Sequence, residues 1–196
     1  MYSLYTNMQD IYGSPPYSFS TSQVGLVYLG PGLGFLTAVW FIVPKIDTIY
    51  NRLTRQNNNK SQPEFRLPLA NIGAVLLPIT LFIIAWTIEY RERVHWIVSI
   101  IAAYFLGLGQ VLIFNTVQNY YIDAFAKYAA SAIAAGATFR AIVGGVVPLV
   151  APAMFDKLGY GWGWSVFGFL CVLLAPAPWA FQRWGPWLRE RFAIEL

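Results

Sequence analysis

The chain has 196 residues, of which 57% are hydrophobic, 17% aromatic and only 11% charged; its net charge is +4 and its mean hydropathy +0.51. A soluble domain carries about 25% charged residues, so this chain lacks the polar surface of a water-exposed globule, and an all-α integral membrane protein is expected. The basic residues form no patch interleaved with stacking aromatics, which argues against a nucleic-acid partner, and a single Cys171 with a single His95 excludes an internal disulfide and a Cys/His zinc site, so no metal or cofactor is expected.

In chain order, residues 1–23 form a polar Tyr/Ser/Pro segment with no apolar core of the signal-peptide kind. Five apolar runs follow at 24–43, 69–88, 96–122, 128–155 and 162–181. Each is near or above the roughly 20 residues a helix needs to cross a bilayer. Together they define a transmembrane bundle over 24–182, with a loop at 44–68 and a tail at 183–196. Pro31, Pro78 and Pro148 fall inside spans, where neighbouring helices can re-satisfy the freed backbone. Cys171, inside the last run, is expected to pack as a small hydrophobe.

Lysine and arginine in short loops set orientation. Lys45, Arg52, Arg55, Lys60, Arg66, Lys127, Arg183, Arg189 and Arg191 fall on one side, against Arg91, Arg93 and Lys157 on the other. Nine against three places loop 44–68 and tail 183–196 in the cytoplasm and residues 1–23 outside. The Asn59-Lys60-Ser61 sequon should therefore stay unglycosylated. An external N-terminus ahead of five spans is awkward to deliver, and an upstream span is expected to be missing.

Small residues recur every four positions at Gly30, Gly34 and Ala38, at Ala103 and Gly107, and at Ala137, Ala141 and Gly145. Such rows let helix backbones approach closely where lipid gives no hydrophobic drive. A compact bundle is the expectation.

Polar residues gather at one end of the third span. Asn115, Gln118, Asn119 and Asp123 are spaced three, one and four residues apart and share one face of a helix. They can line a polar vestibule; equally, the amides can bond between helices and Asp123 can serve as a loop or cap residue. Arg140 is the only charge inside a span and falls roughly 18 Å along a helix starting near Tyr128. That is about mid-bilayer, where intramembrane ionisable groups commonly mark a substrate or ion path. The alternative is an arginine that snorkels or bonds to exposed carbonyls. No acid lies at matching depth, because Asp123 and Glu89 are near opposite surfaces.

Three stretches carry a family resemblance: NNNKSQPEFRLP at 57–68, VHWIVSII at 94–101, and 121–169, which begins YIDAFAKYAASAIAAGATFRAIVGG. The chain resembles the C-terminal half of fungal major facilitator superfamily transporters of the drug:proton antiporter branch. The resemblance covers the chain from about Ser20 onward. It implies that the five runs are the eighth to twelfth spans of a twelve-helix, two-bundle transporter, with the N-terminal half lying outside this chain. It further implies a small-molecule substrate, protons as a coupling partner, a plasma-membrane location and rocking of two bundles around a midplane site. Tyr128, Ser131, Arg140, Pro148 and the Gly161–Gly163 stretch match recurring family positions. Asp47, Arg52 and Arg55 resemble the family's cytoplasmic loop motif, which latches adjacent helices, although their spacing departs from it.

Two other functions are open on sequence alone. One is a membrane protein without transport activity of its own, either a truncated product or a subunit that pairs with another chain. The other, an embedded enzyme, would need a nucleophile with a base, a metal cluster or a carboxylate pair. His95, beside Glu92 and Arg93, has no second histidine to join it, so no enzyme activity is expected.

Overall fold

The computed structural model describes residues 2–191, and 87% of it is helical, with no strand among the described residues. The expected tail 183–196 is seen only to Arg191, so residues 192–196 lie outside the described part. The eight α-helices are α1 (Tyr2–Gly13), α2 (Thr21–Val27), α3 (Leu29–Thr37), α4 (Val43–Gln56), α5 (Pro68–Glu89), α6 (Trp96–Ala124), α7 (Ala129–Leu174) and α8 (Ala177–Arg191).

The first membrane passage is longer than the apolar run that announces it. From α2 to α4 the backbone is helical over Thr21–Gln56, interrupted by a π turn at Ala38–Ile42. Pro44 explains the turn: proline lacks an N–H and crowds the carbonyl one turn earlier. A π turn is a recognised way for a helix to absorb such a defect. Beyond it, α4 carries Ile46, Ile49, Tyr50 and Leu53 at helical spacing, so the first part of loop 44–68 is an amphipathic helix that buries Ile46 against Leu69 and Leu112.

Close approach of backbones builds the centre. A Cβ at Gly107 would stand 2.5 Å from the Pro31 carbonyl oxygen, and one at Gly73 would stand 2.7 Å from that of Gly109. Gly34 meets the Tyr104 carbonyl in the same way, while Ala38 and Ala103 are buried. Helix α6 is thereby held between α3 and α5. The first two small-residue rows mediate packing as expected. In the third, Ala137 lines a cavity against α6, but Ala141 is exposed and a Cβ added at Gly145 would meet no atom within 4 Å among the described residues.

Helix α7 contains two passes. Gly159 breaks it with φ +74°, a left-handed conformation that favours glycine. Phe155 before the break stacks on Trp164 after it, and residues of both arms, among them Val143, Val147, Phe167 and Leu170, line one shared cavity. The break is fastened from outside by α5, where the Glu89 carboxylate accepts the Gly161 N–H at 2.7 Å. The second arm then packs along α5, with Phe82 against Gly168 and edge-on to Phe169. The apolar runs at 128–155 and 162–181 fall on these two arms. The second run departs in one respect, because the helix turns at 175–176 and restarts as α8.

The segment expected ahead of the bundle takes part in its core. Leu4, Met8, Ile11 and Tyr12 of α1 follow i, i+4, i+7, i+8 spacing and are buried with Ile84, Ile88, Ala102 and Trp164. The Tyr12 hydroxyl shares a 2.7 Å hydrogen bond with Ser99 Oγ, and the Tyr17 hydroxyl donates to the Val94 carbonyl. By contrast, large apolar side chains such as Trp40, Ile72, Ile79 and Leu173 are exposed. That is the surface a lipid-facing helix presents.

Candidate functional site

Two polar assemblies lie toward the end of the bundle that carries loop 57–67. The first is a cavity of about 150 Å³ between α6 and the first arm of α7. Phe114, Gln118 and Tyr121 line it from α6, and Gly136, Ala137 and Arg140 from α7. Glycine at 136 allows the approach, since a Cβ there would meet the Tyr121 ring at 3.2 Å. The Arg140 guanidinium lies over the Phe114 ring, 4.7 Å from its centre. A cation over an aromatic face gains about 0.5–2 kcal/mol, more as water is removed. Among the described residues Arg140 has no carboxylate partner. It also borders a second, largely apolar cavity of about 410 Å³ between the two arms of α7, lined by Val143, Trp164, Phe167 and Cys171.

This geometry divides the expected Asn/Gln/Asp face. Gln118 turns toward α7 and joins Arg140 in the cavity. Asn115 instead donates to the Val111 carbonyl of its own helix, 3.1 Å away. Asn119 is half-buried and makes no side-chain hydrogen bond among the described residues. Asp123 belongs to the second assembly. The reason is angular: five residues on a helix turn the side chain by about 140°, so Gln118 and Asp123 look toward different neighbours.

The second assembly is ionic and is organised by a 3₁₀ turn at Pro63–Arg66. Arg66 donates from Nε to Asp123 at 2.7 Å and from Nη1 to Asp47 of α4, while its guanidinium covers the Tyr50 ring at 4.0 Å. Burial works against the Arg66 charge, but hydrogen bonds to Asp123 and Asp47 outweigh it and hold the group above its ordinary value. Two residues earlier, Glu64 is almost completely enclosed, its side chain 2% exposed. It accepts two hydrogen bonds from Arg189 of α8, at 3.0 and 2.8 Å. This is the bidentate fork–fork arrangement that makes arginine–carboxylate pairs strong and directional. Gly185 leaves room for it, as a Cβ there would stand 2.6 Å from Glu64 Oε1. One short turn therefore ties together α4, α6 and α8.

Of the three expected gate residues, the structure brings only Asp47 into this cluster. Arg52 and Arg55 are exposed and make no ion pair among the described residues. Glu64, Arg66 and Arg189 were not singled out from sequence as site residues. In sequence, Glu64 and Arg66 sit in the Pro-Glu-Phe-Arg-Leu-Pro stretch, and Arg66 and Arg189 carry only a topology signal. No group of three or more metal-ligating side chains occurs among the described residues.

Comparison with known proteins gives relatives of one kind. The chain is 40% identical over 189 residues to an MFS-type transporter, penM, of Penicillium rubens; the match covers 96% of the chain and 36% of that protein. It is 40% identical over its full length to the MFS transporter cpaT of Aspergillus oryzae, covering 39% of that protein. It is 35% identical to an uncharacterised transporter, mfc1, of Schizosaccharomyces pombe, over 97% of the chain and 38% of that protein. No family model and no solved structure matches the chain. The chain's homologues are thus fungal transporters, and it spans a little over a third of their length. With its membrane-length apolar helices, it is a multi-pass membrane protein.

Proposed function

We propose that this chain forms one wall of a transmembrane path for small organic molecules, completed by further sequence or by a partner chain. The observation that carries the reading is the meeting of Gln118 and Arg140 at the α6–α7 cavity. An uncompensated arginine at that depth costs several kcal/mol in lipid, and an aromatic ring offsets only part of that. A negatively charged substrate group, or a carboxylate on another helix, would offset the rest. In this proposal Arg140 supplies the cationic end of the site and Gln118 a neutral hydrogen-bonding group, and the apolar cavity between the arms of α7 accepts hydrophobic substrate bulk.

The exposed face of α7 supports the same reading. Phe139, Ile142, Val146 and Leu149 lie along the first arm with no covering element among the described residues. In the proposal that face adjoins the rest of the transporter. The Asp47–Arg66–Asp123 cluster and the Glu64–Arg189 pair then act as a cytoplasmic latch that separates and re-forms during alternating access. The further specification is proton-coupled drug or multidrug efflux across the plasma membrane, with tail 183–196 in the cytoplasm.

The test is transport by the longer protein carrying this chain, comparing Arg140→Ala and Arg140→Lys with the parent. Arg140→Ala should weaken apparent substrate affinity about tenfold or shift the pH dependence of uptake, and lysine should restore part of the loss. Parental affinity and an unchanged pH profile in Arg140→Ala would overturn the proposal. The second reading, a partner-dependent membrane protein without transport, draws on the same uncovered α7 face. It predicts no substrate flux even when the partner is supplied.

A further inference from the structure

The arginines of α8 are sorted by direction. Arg189 faces inward to Glu64, beside buried Gly185. Arg183 and Arg191 face outward and make no ion pair among the described residues. They alternate with tryptophan at four-residue spacing as Trp179, Arg183, Trp187 and Arg191. Each step of four advances about 40° around a helix, so the four residues form one gently wound stripe. Trp179 and Trp187 are 54% and 53% exposed. Trp184 flanks the stripe, edge-on to Trp179 at 6.2 Å, and the Arg191 guanidinium lies 5.1 Å from the Trp187 ring centre. With three arginines against one glutamate, the helix is net basic.

The placement of α8 gives this stripe a partner. The helix begins just after the turn at 175–176 that ends the last membrane arm, and its inner face is anchored to the Pro63–Arg66 turn. It therefore starts where the apolar region of the chain gives way to charge. Indole rings settle at the headgroup level of a bilayer, and arginine beside them meets lipid phosphate. An amphipathic helix with a Trp/Arg face is the form of element that lies in that interface. We propose that the outer stripe of α8 is a docking surface for anionic phospholipid headgroups, in which Arg183 and Arg191 contact phosphate and Trp179, Trp184 and Trp187 fix the depth. The Glu64–Arg189 pair then couples that lipid contact to the loop that holds α4 and α6. The inference depends on the chain being a membrane protein and not on its transporting anything.

The experiment reconstitutes the full chain in nanodiscs of phosphatidylcholine alone or with phosphatidylserine mixed in, and follows peptide-resolved hydrogen exchange over 177–191. Phosphatidylserine should slow exchange in this helix roughly thirtyfold, the scale of two basic side chains at an anionic surface. High salt and the double variant Arg183→Gln/Arg191→Gln should each remove most of that protection. Exchange in α5 and α6 should be unchanged, which shows that the variant keeps its fold. Equal exchange in both lipids, or protection that survives the double substitution, would overturn the proposal. So would protection that depends on protein concentration rather than lipid charge, since that points to a second copy covering the stripe.

Discussion

The α5–α6 hairpin and the first arm of α7 are similarly apolar, and they pack in opposite ways. Eleven residues of α5 are buried, among them Gly73, Ala74, Leu81 and Ile84. Between Ala129 and Val150 no residue of α7 is buried. Both segments contain small residues at intervals of four. The difference lies in what stands opposite: at Gly73 and Gly107 a neighbouring backbone carbonyl fills the space a side chain would take, whereas Gly145 faces none. Apolarity puts a helix into lipid, but small residues add stability only where a second backbone answers them.

The packed side can be broken most severely at its ionic edge. Arg189→Ala leaves Glu64 enclosed and uncompensated, a change that costs about 3–5 kcal/mol when a pair is fully buried. Arg189 is 40% exposed, so the lower end of that range is expected. Adding Glu64→Ala should recover most of the loss. Unfolding in detergent micelles measures both, and a double variant no more stable than Arg189→Ala would contradict the pairing.

Next in size is Gly107→Leu, which drives a side chain into the Pro31 backbone. Overpacking of this kind costs roughly 1–3 kcal/mol or more, so a clear fall in the unfolding temperature is expected. Gly145→Leu should stay within about 0.5 kcal/mol of the parent, because its surroundings are open. Comparable losses for the two substitutions would erase the contrast between the two regions.

Much of this contrast was legible in sequence, for reasons that vary by residue. Apolar run length marked the spans, and four-residue spacing marked Gly30, Gly34, Ala103 and Gly107 as contacts. Nothing in the same spacing at Ala141 and Gly145 reveals that no helix among the described residues packs closely against them, since a partner is a tertiary fact. Helix α1 was hidden for another reason. Its buried Leu4, Met8, Ile11 and Tyr12 are interleaved with Thr, Asn, Gln and Asp, so average polarity masked a sound helical period. The partner of Asp123 lies 57 residues away, and Glu64 meets its arginine across 125. Helical geometry can say which residues share a face, but not which distant side chain will meet it. Arg140 was singled out by its charge and depth, yet its contact, the Phe114 ring, carries no charge to betray it.

The central claim is that the Gln118–Arg140 side of the first α7 arm lines a watery path, while the exposed face at Leu173 meets lipid. Cysteine accessibility tests it most directly. In a Cys171→Ser background of the longer protein carrying this chain, Ala137→Cys and Gln118→Cys should react with a membrane-impermeant thiol reagent, and substrate should slow the reaction. Leu173→Cys, on an exposed apolar face, should stay unreactive. An inert Ala137→Cys and Gln118→Cys, or reaction at Leu173→Cys as fast as theirs, would contradict the account.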